Sequence, residues 1–135
     1  VTSYVWIHHG ALESFPATDY NVVRDRYFQY WDHAEETFRV PYYPNVTMGW
    51  DASPRTVQSD TFVNARYPFM PVIGHNTPER FAEALSLVKH RILARPREQR
   101  IVTVNAWNEW TEGSYLEPDT ECGMAYLEAF KKVFN

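Results

Sequence analysis

The chain has a single cysteine, only five glycines among 135 residues, and no apolar run approaching the length of about eighteen that a membrane span needs. Each shortage excludes something. One thiol, Cys122, rules out an intrachain disulfide, leaves the redox compartment open, and reads as a small buried hydrophobe. No basic stretch followed by a cleavable apolar one stands at the N-terminus, and nothing in the sequence inserts into a membrane. No Gly-x-Gly-x-x-Gly or Walker-type loop follows any strand-like segment, so the usual nucleotide-phosphate cradles are missing. Positive charge is also scarce: 13 Lys and Arg stand against 17 Asp and Glu, for a formal net charge of −4, and no basic cluster exceeds that from Arg95 to Arg100. Phosphate backbones need clustered cations, which excludes nucleic acid and favours a neutral or weakly charged partner.

What is abundant is aromatic: 16% of the chain, with five Trp, nine Tyr and eight Phe, many standing beside polar residues. Pyranose rings present apolar faces rimmed by hydroxyls, so a sugar site combines flat aromatic surfaces with a few directed hydrogen-bonding groups. With 44% hydrophobic and 22% charged residues, the chain has the balance of one ordinary globular domain. It opens at Val1 inside an apolar, strand-like segment, so an upstream portion is expected. The lack of a leader therefore leaves the compartment undecided between cytoplasmic and, in a bacterium, secreted or periplasmic.

Periodicity predicts the elements. Thr2 to His8 is rich in β-branched and aromatic residues and stops at His8-His9-Gly10, which predicts a strand, with a loop following to about Asp19. Val23, Tyr27, Tyr30, Trp31, Ala34 and Phe38 recur at helical spacing from Tyr20 to Arg39. Pro41 and Pro44 follow, then a short strand from Asn45 to Met48. Ala52 to Asn76 lacks steady periodicity and reads as a long excursion, with a short element around Thr56 to Asn64. Thr77-Pro78-Glu79 is a helix start: a hydroxyl cap, a proline where no N–H is needed, and an acid at the positive dipole end. That helix runs to about Ala94. Arg100 to Asn105 is the clearest strand, Trp107 to Thr120 a polar loop, and Glu121 to Phe134 a last helix.

Strands alternating with helices imply an α/β fold with parallel strands and crossover helices. Both an open doubly wound sheet and the C-terminal βα units of a (β/α)8 (TIM) barrel fit, the barrel being incomplete in this chain and needing the rest upstream or another subunit. Every polar cluster able to do chemistry follows a strand: His8 and His9, then Trp50 and Asp51, then Asn105 to Glu112. Active sites in barrel enzymes lie at those C-terminal strand ends, which favours the barrel.

The most informative stretch is Asn108-Glu109-Trp110-Thr111-Glu112-Gly113. Two carboxylates three residues apart lie beside Trp107 and Trp110 at a strand mouth. If the loop makes a helical turn, their Cβ atoms stand about 5–6 Å apart, which suits a retaining hydrolase, whose two carboxyl groups lie about 5–5.5 Å apart. If a strand continued instead, they would fall on opposite faces, roughly 10 Å apart. For an arbitrary pair of acids, surface charge or helix capping is the commoner explanation. Crowding by Asn105, Trp107, Asn108 and Trp110 argues against it here.

The segment Asn105-Ala-Trp-Asn-Glu-Trp-Thr-Glu-Gly-Ser-Tyr-Leu-Glu-Pro-Asp119, with Gly49-Trp-Asp-Ala-Ser-Pro-Arg55, resembles the C-terminal part of the WbsX-type domain, which is related to family 99 glycoside hydrolases. The resemblance covers essentially the whole chain. It implies a (β/α)8 barrel, an oligosaccharide or polysaccharide substrate, and no cofactor or metal. Carried over by motif, Glu112 would be the general acid that protonates the leaving oxygen and later activates water. Glu109 would take the proton of the sugar's 2-hydroxyl, so that this oxygen closes a 1,2-anhydro sugar with overall retention. The family commonly has His where this chain has Thr111 and Gln where it has Tyr115, so sugar contacts and mannose specificity do not carry over. WbsX-type proteins have also been labelled glycosyltransferases.

Weaker candidates surround these. Trp50, Asp51 and Arg55 are placed either on sugar hydroxyls or as braces of the site. His8 or His9 is a rim hydrogen-bonding group; a metal site with Asp51 is disfavoured because neighbours on a strand face opposite ways. Glu117, beside Pro118 and Asp119, reads as part of a turn, and the acceptor triplet Asn45-Val46-Thr47 enters a strand and is discounted as a glycosylation site. Three readings follow: a retaining glycoside hydrolase, a glycosyltransferase of surface polysaccharide, and a non-catalytic carbohydrate-binding domain. The last predicts Glu109 and Glu112 facing away from an aromatic platform.

Overall fold

A computed structural model describes residues 1–56 and 63–135 of the chain. Most of the short element expected around residues 56–64 lies outside the described residues.

The N-terminal segment departs from expectation. Thr2 bridges Tyr43 in parallel, but Trp6–His8 turn into a 3-10 helix instead of continuing as a strand. The cause is Trp6: its N–H donates to the Thr47 hydroxyl (3.0 Å), its indole N–H donates to the Asn45 carbonyl (2.9 Å), and its ring is buried against Tyr20 and Tyr27. Side-chain bonds have taken the place of a ladder. A strand not expected from sequence, β1 (Ala17–Asp19), follows; three residues are too few to show a period.

Helix α1 (Tyr20–Thr37) begins where the Asp19 carboxylate accepts the Asn21 N–H at 3.0 Å. Val23, Tyr27, Trp31 and Ala34 bury one stripe of it. Next come strand β2 (Asn45–Thr47), strand β3 (Val72–Gly74) and helix α2 (Pro78–Leu93). Thr77 caps α2 by accepting the Arg80 N–H, and Phe81, Ala84, Leu85, Val88 and Ile92 form its buried face. Strand β4 (Thr103–Asn105) leads into two two-residue strands, β5 (Asn108–Glu109) and β6 (Ser114–Tyr115), joined by a 3-10 turn over Trp110–Glu112. Helix α3 (Ala125–Phe134) starts later than the expected Glu121, because Asp119 accepts the N–H groups of Glu121 and Cys122 and holds those residues in a turn.

The result is a mixed α/β arrangement of short strands and helices, and no complete barrel is present among the described residues. β2 pairs in parallel with β4, matching Asn45 to Thr103 and Thr47 to Asn105. β1 pairs in parallel with β3, and β5 with β6 antiparallel. Neither parallel pair joins consecutive strands, so each is spanned by crossover connections. Tyrosines do much of the bonding along β2. The Tyr27 hydroxyl accepts the Asn45 N–H at 2.7 Å, and the Tyr20 hydroxyl donates to the Thr47 carbonyl at 2.8 Å. Asn45 is thereby buried, with its carboxamide oxygen accepting from the Thr47 hydroxyl, an arrangement that leaves no room for a glycan. Cys122 is half-buried, and burial pushes its thiol pKa upward.

Candidate active site

The two sequence motifs meet backbone to backbone. The Asp51 N–H donates to the Glu112 carbonyl at 2.7 Å, and the Ser114 hydroxyl donates to the Gly49 carbonyl. Such an approach demands glycine on both sides. Gly113 has φ +59°, and a Cβ there would lie 2.8 Å from that of Asp51; a Cβ on Gly49 would lie 2.7 Å from the Gly113 carbonyl oxygen.

This contact aims the charged groups. Asp51 accepts the Ser53 N–H at 2.8 Å and so starts a 3-10 turn, Ser53–Arg55, whose last residue reaches across to the Trp110–Glu112 turn. The Arg55 guanidinium donates through Nε to the Thr111 hydroxyl (3.0 Å), while its Nη2 lies 3.4 Å from Oε2 of Glu109 and 3.3 Å from Oε1 of Glu112. Both oxygens being so close to one nitrogen, they are separated by less than twice the longer distance. A 3-10 turn brings residues three apart to the same side, which is why the chain can place Glu109 and Glu112 together.

The two acids are in different surroundings. Glu109 is half-exposed, whereas Glu112 is 8% exposed and its carboxylate is enclosed by donors. The Tyr4 hydroxyl donates to Oε2 at 3.0 Å, and the Tyr67 hydroxyl lies 3.4 Å from Oε1 beside the Arg55 contact. Burial, then the bond to Glu112 and its negative charge, push the Tyr4 phenol up to about 12, so Tyr4 stays a donor across the ordinary pH range. The Asn105 amide acts on that phenol in the opposite direction, without reaching hydrogen-bonding geometry.

Aromatic and amide groups complete the setting. Trp107 and Trp110 are exposed, and Trp110 stacks on Tyr115 with ring centroids 3.8 Å apart while its indole N–H donates to Glu117 at 2.6 Å. Trp50 is buried, its ring 6.3 Å from that of Tyr67. Among the described residues, the buried side-chain polar atoms without a hydrogen bond are the Trp50 indole nitrogen and both amide atoms of Asn105.

Residues 7–130 match the model of the family described as Glycosyltransferase WbsX. The chain belongs to this WbsX family. It is also 37% identical over 94 residues to an uncharacterized protein, WxcX, from two strains of Xanthomonas campestris pv. campestris. That match covers 69% of this chain but 12% of WxcX, so the chain spans a small part of the curated relatives it matches. No solved structure matches.

For the WbsX chain, the structure gathers Glu109, Glu112, Arg55, Trp50 and Asp51 at one place. One oxygen of the Asp51 carboxylate, Oδ1, accepts the Ser53 N–H, a contact that holds the turn carrying Arg55. Asn108 is exposed on β5, paired with Tyr115, whose ring stacks on Trp110. The histidines do not lie on a strand. His9 stacks flat on Tyr30 at 3.6 Å, against α1, where burial pushes its imidazole pKa down; exposed His8 neighbours the Tyr4 ring at 6.2 Å. Among the described residues no three His, Cys, Asp or Glu side chains gather as a metal site. Sequence reasoning missed Tyr4 and Tyr67. Tyr4 was hidden in an apparent strand, and Tyr67 lies in the aperiodic excursion, where nothing local marks a contact with Glu112.

Proposed function

We propose that the WbsX chain supplies the catalytic carboxylates of a carbohydrate-active enzyme that cleaves a glycosidic bond with retention. The observation that carries this reading is the single guanidinium nitrogen of Arg55 within 3.4 Å of both Glu109 and Glu112, beside exposed Trp107 and Trp110. A binding domain has no need to hold two like charges together; a reaction that moves two protons at one sugar does.

In the proposed cycle the sugar meets Glu112 in its protonated form and Glu109 ionised, and Glu109, the more exposed acid, takes the 2-hydroxyl proton. The freed oxygen forms a bond to the anomeric carbon as the bond to the leaving oxygen breaks, and that oxygen receives a proton from Glu112. Water then attacks the anomeric carbon, Glu112 takes its proton, and the opened ring oxygen recovers its proton from Glu109. Tyr4 and Tyr67 orient the Glu112 carboxyl, while Trp107 offers a flat face to a sugar ring. The kinship to family 99 hydrolases rests on the Asn-Glu-Trp-x-Glu-Gly pattern.

We place these βα units in a (β/α)8 barrel completed by other parts of the protein. Three parallel segments side by side support this, with Thr2 bridging Tyr43 just ahead of β2 and β2 pairing with β4. The family's printed description favours a second reading, transfer of the sugar to an acceptor hydroxyl in place of water.

The test is the full-length protein against defined polysaccharides, with products assigned by anomeric configuration. Glu112→Gln should abolish release of reducing sugar and leave binding intact. Undiminished turnover by that variant ends the assignment, and products appearing only when an acceptor sugar is supplied favour transfer.

A further inference from the structure

Asp19, His75 and Arg80 form a charged cluster at the end of the β1–β3 pair that the proposed chemistry does not use. Asp19 pairs with Gly74 in the β1–β3 register, so His75 is the first residue beyond the pair. Its Nδ1 lies 2.9 Å from Oδ2 of Asp19, and Nη1 of Arg80 lies 2.7 Å from the same oxygen.

Stability does not account for His75. Its φ is +57°, a left-handed backbone that residues other than glycine seldom adopt. Its side chain is 78% exposed, so it buries little, and exposed ion pairs contribute little to folding. Nor does Asp19 need it. The capping of α1 uses Oδ1, and Arg80 already pairs with the other oxygen. Held well down by Arg80, Asp19 is an ionised acceptor, so the His75 nitrogen facing it must carry the proton. In the neutral imidazole this leaves Nε2 as an acceptor directed away from the cluster.

Chain position links His75 to the acids. The next residue, Asn76, has its amide 2.5 Å from where a Cβ on Gly49 would sit, and the Gly113 carbonyl oxygen lies 2.7 Å from the same point. Gly113 directly follows Glu112. His75 therefore stands one residue from the backbone junction that sets the candidate acid.

We propose that His75 is a glycan-contacting residue at the rim of the Glu109–Glu112 site, where Asp19 orients its imidazole so that Nε2 accepts a sugar hydroxyl. The proposal rests on the carbohydrate reading of the site and defines a subsite on the β1–β3 side of the two acids. Asp19 is a positioning residue.

The test uses full-length protein carrying Glu112→Gln, so that no turnover is needed, and disaccharides of mannose, glucose, galactose and rhamnose as probes. Diethyl pyrocarbonate labelling, read by peptide mass spectrometry, should show His75 protected by at least one disaccharide while exposed His33 and His90 label at an unchanged rate. His75→Asn, which tolerates the left-handed backbone, should weaken binding of that sugar by about tenfold, the worth of one hydrogen bond, with the unfolding midpoint unchanged. Asp19→Asn keeps a helix cap but loses the fixed tautomer, and should weaken binding by a smaller factor. Absence of His75 protection by every disaccharide, or equal affinity of His75→Asn and its parent, overturns the proposal. Protection of His75 by a disaccharide, when the protein with Glu112 intact cleaves no glycan containing that disaccharide, would instead leave this subsite standing and remove the hydrolase assignment.

Discussion

Two buried tryptophans show how differently the chain treats its two sides. Trp31, on α1, is fully buried, donates its indole N–H to Glu35 at 2.8 Å, and carries the Arg91 guanidinium 3.8 Å above its ring. Arg91 is paired in turn with Asp32, and Arg95 with Glu35. Trp50, just beyond β2, is 4% exposed, yet its indole N–H has no partner, and neither amide atom of Asn105, at the end of β4, has one. An unmade buried hydrogen bond costs about 1–3 kcal/mol. Among the described residues the buried side-chain polar groups of the helical side are satisfied and serve stability; the strand ends carry unmet bonds, a buried carboxylate and exposed indoles, the pattern that the proposed function needs.

Substitutions can break or sharpen that contrast. The largest effect on folding is expected from Trp31→Ala, which should lower stability by about 3–5 kcal/mol and reduce yield of soluble full-length protein. Gly113→Ala comes next. A side chain at φ +59°, meeting Asp51 at 2.8 Å, should cost about 1–3 kcal/mol and also displace Glu112, so activity falls with the unfolding midpoint. Arg55→Lys should separate the two properties. Stability should change by about 1 kcal/mol or less, because the ion pairs are partly exposed, while activity on the true glycan falls on the order of 100-fold as the acids lose their shared fork.

Asp19 gives a pH signature. Its bond to Arg80, with lesser contributions from His75 and the Asn21 N–H, lowers its carboxyl from the usual 3.8 to about 2. A depressed folded-state value means stabilisation that is complete above the unfolded value and lost as pH falls through the folded one. Acid unfolding curves should therefore lose a modest, salt-sensitive contribution between those two values, and Asp19→Asn should flatten that part of the curve. Smallest on the stability scale is Trp107→Ala. Its exposed ring should change the unfolding midpoint by no more than about 0.5 kcal/mol, while affinity for glycan drops; unaltered affinity would remove Trp107 from the site.

The helices were legible because their signals are local. The Thr77-Pro78-Glu79 start and the stripe from Val23 to Ala34 depend on spacing and cap chemistry alone, and α1 and α2 fall where those signals put them. β1 and β3 were not legible: three residues each, they exist through mutual pairing across more than fifty residues of chain. Thr2 to His8 misled because its composition suits a strand, while the bulk of Trp6 and its bonds to Asn45 and Thr47 bend the chain into a turn. The site divides in the same way. The motif around Glu109 and Glu112 could be read from residue types, and so could the requirement for a turn between them. The enclosure of Glu112 by Tyr4, Tyr67 and Arg55 could not, since those residues come from three separate parts of the chain.

By itself, then, the sequence determined the helices, the α/β class, the family and the pair of acids, because each is written in neighbouring residues. The tertiary structure alone decided that one guanidinium reaches both acids and that Glu112 is buried while Glu109 is half-exposed. Those are distances across folded backbone, and they depend on Gly49 and Gly113 letting two distant turns come into contact.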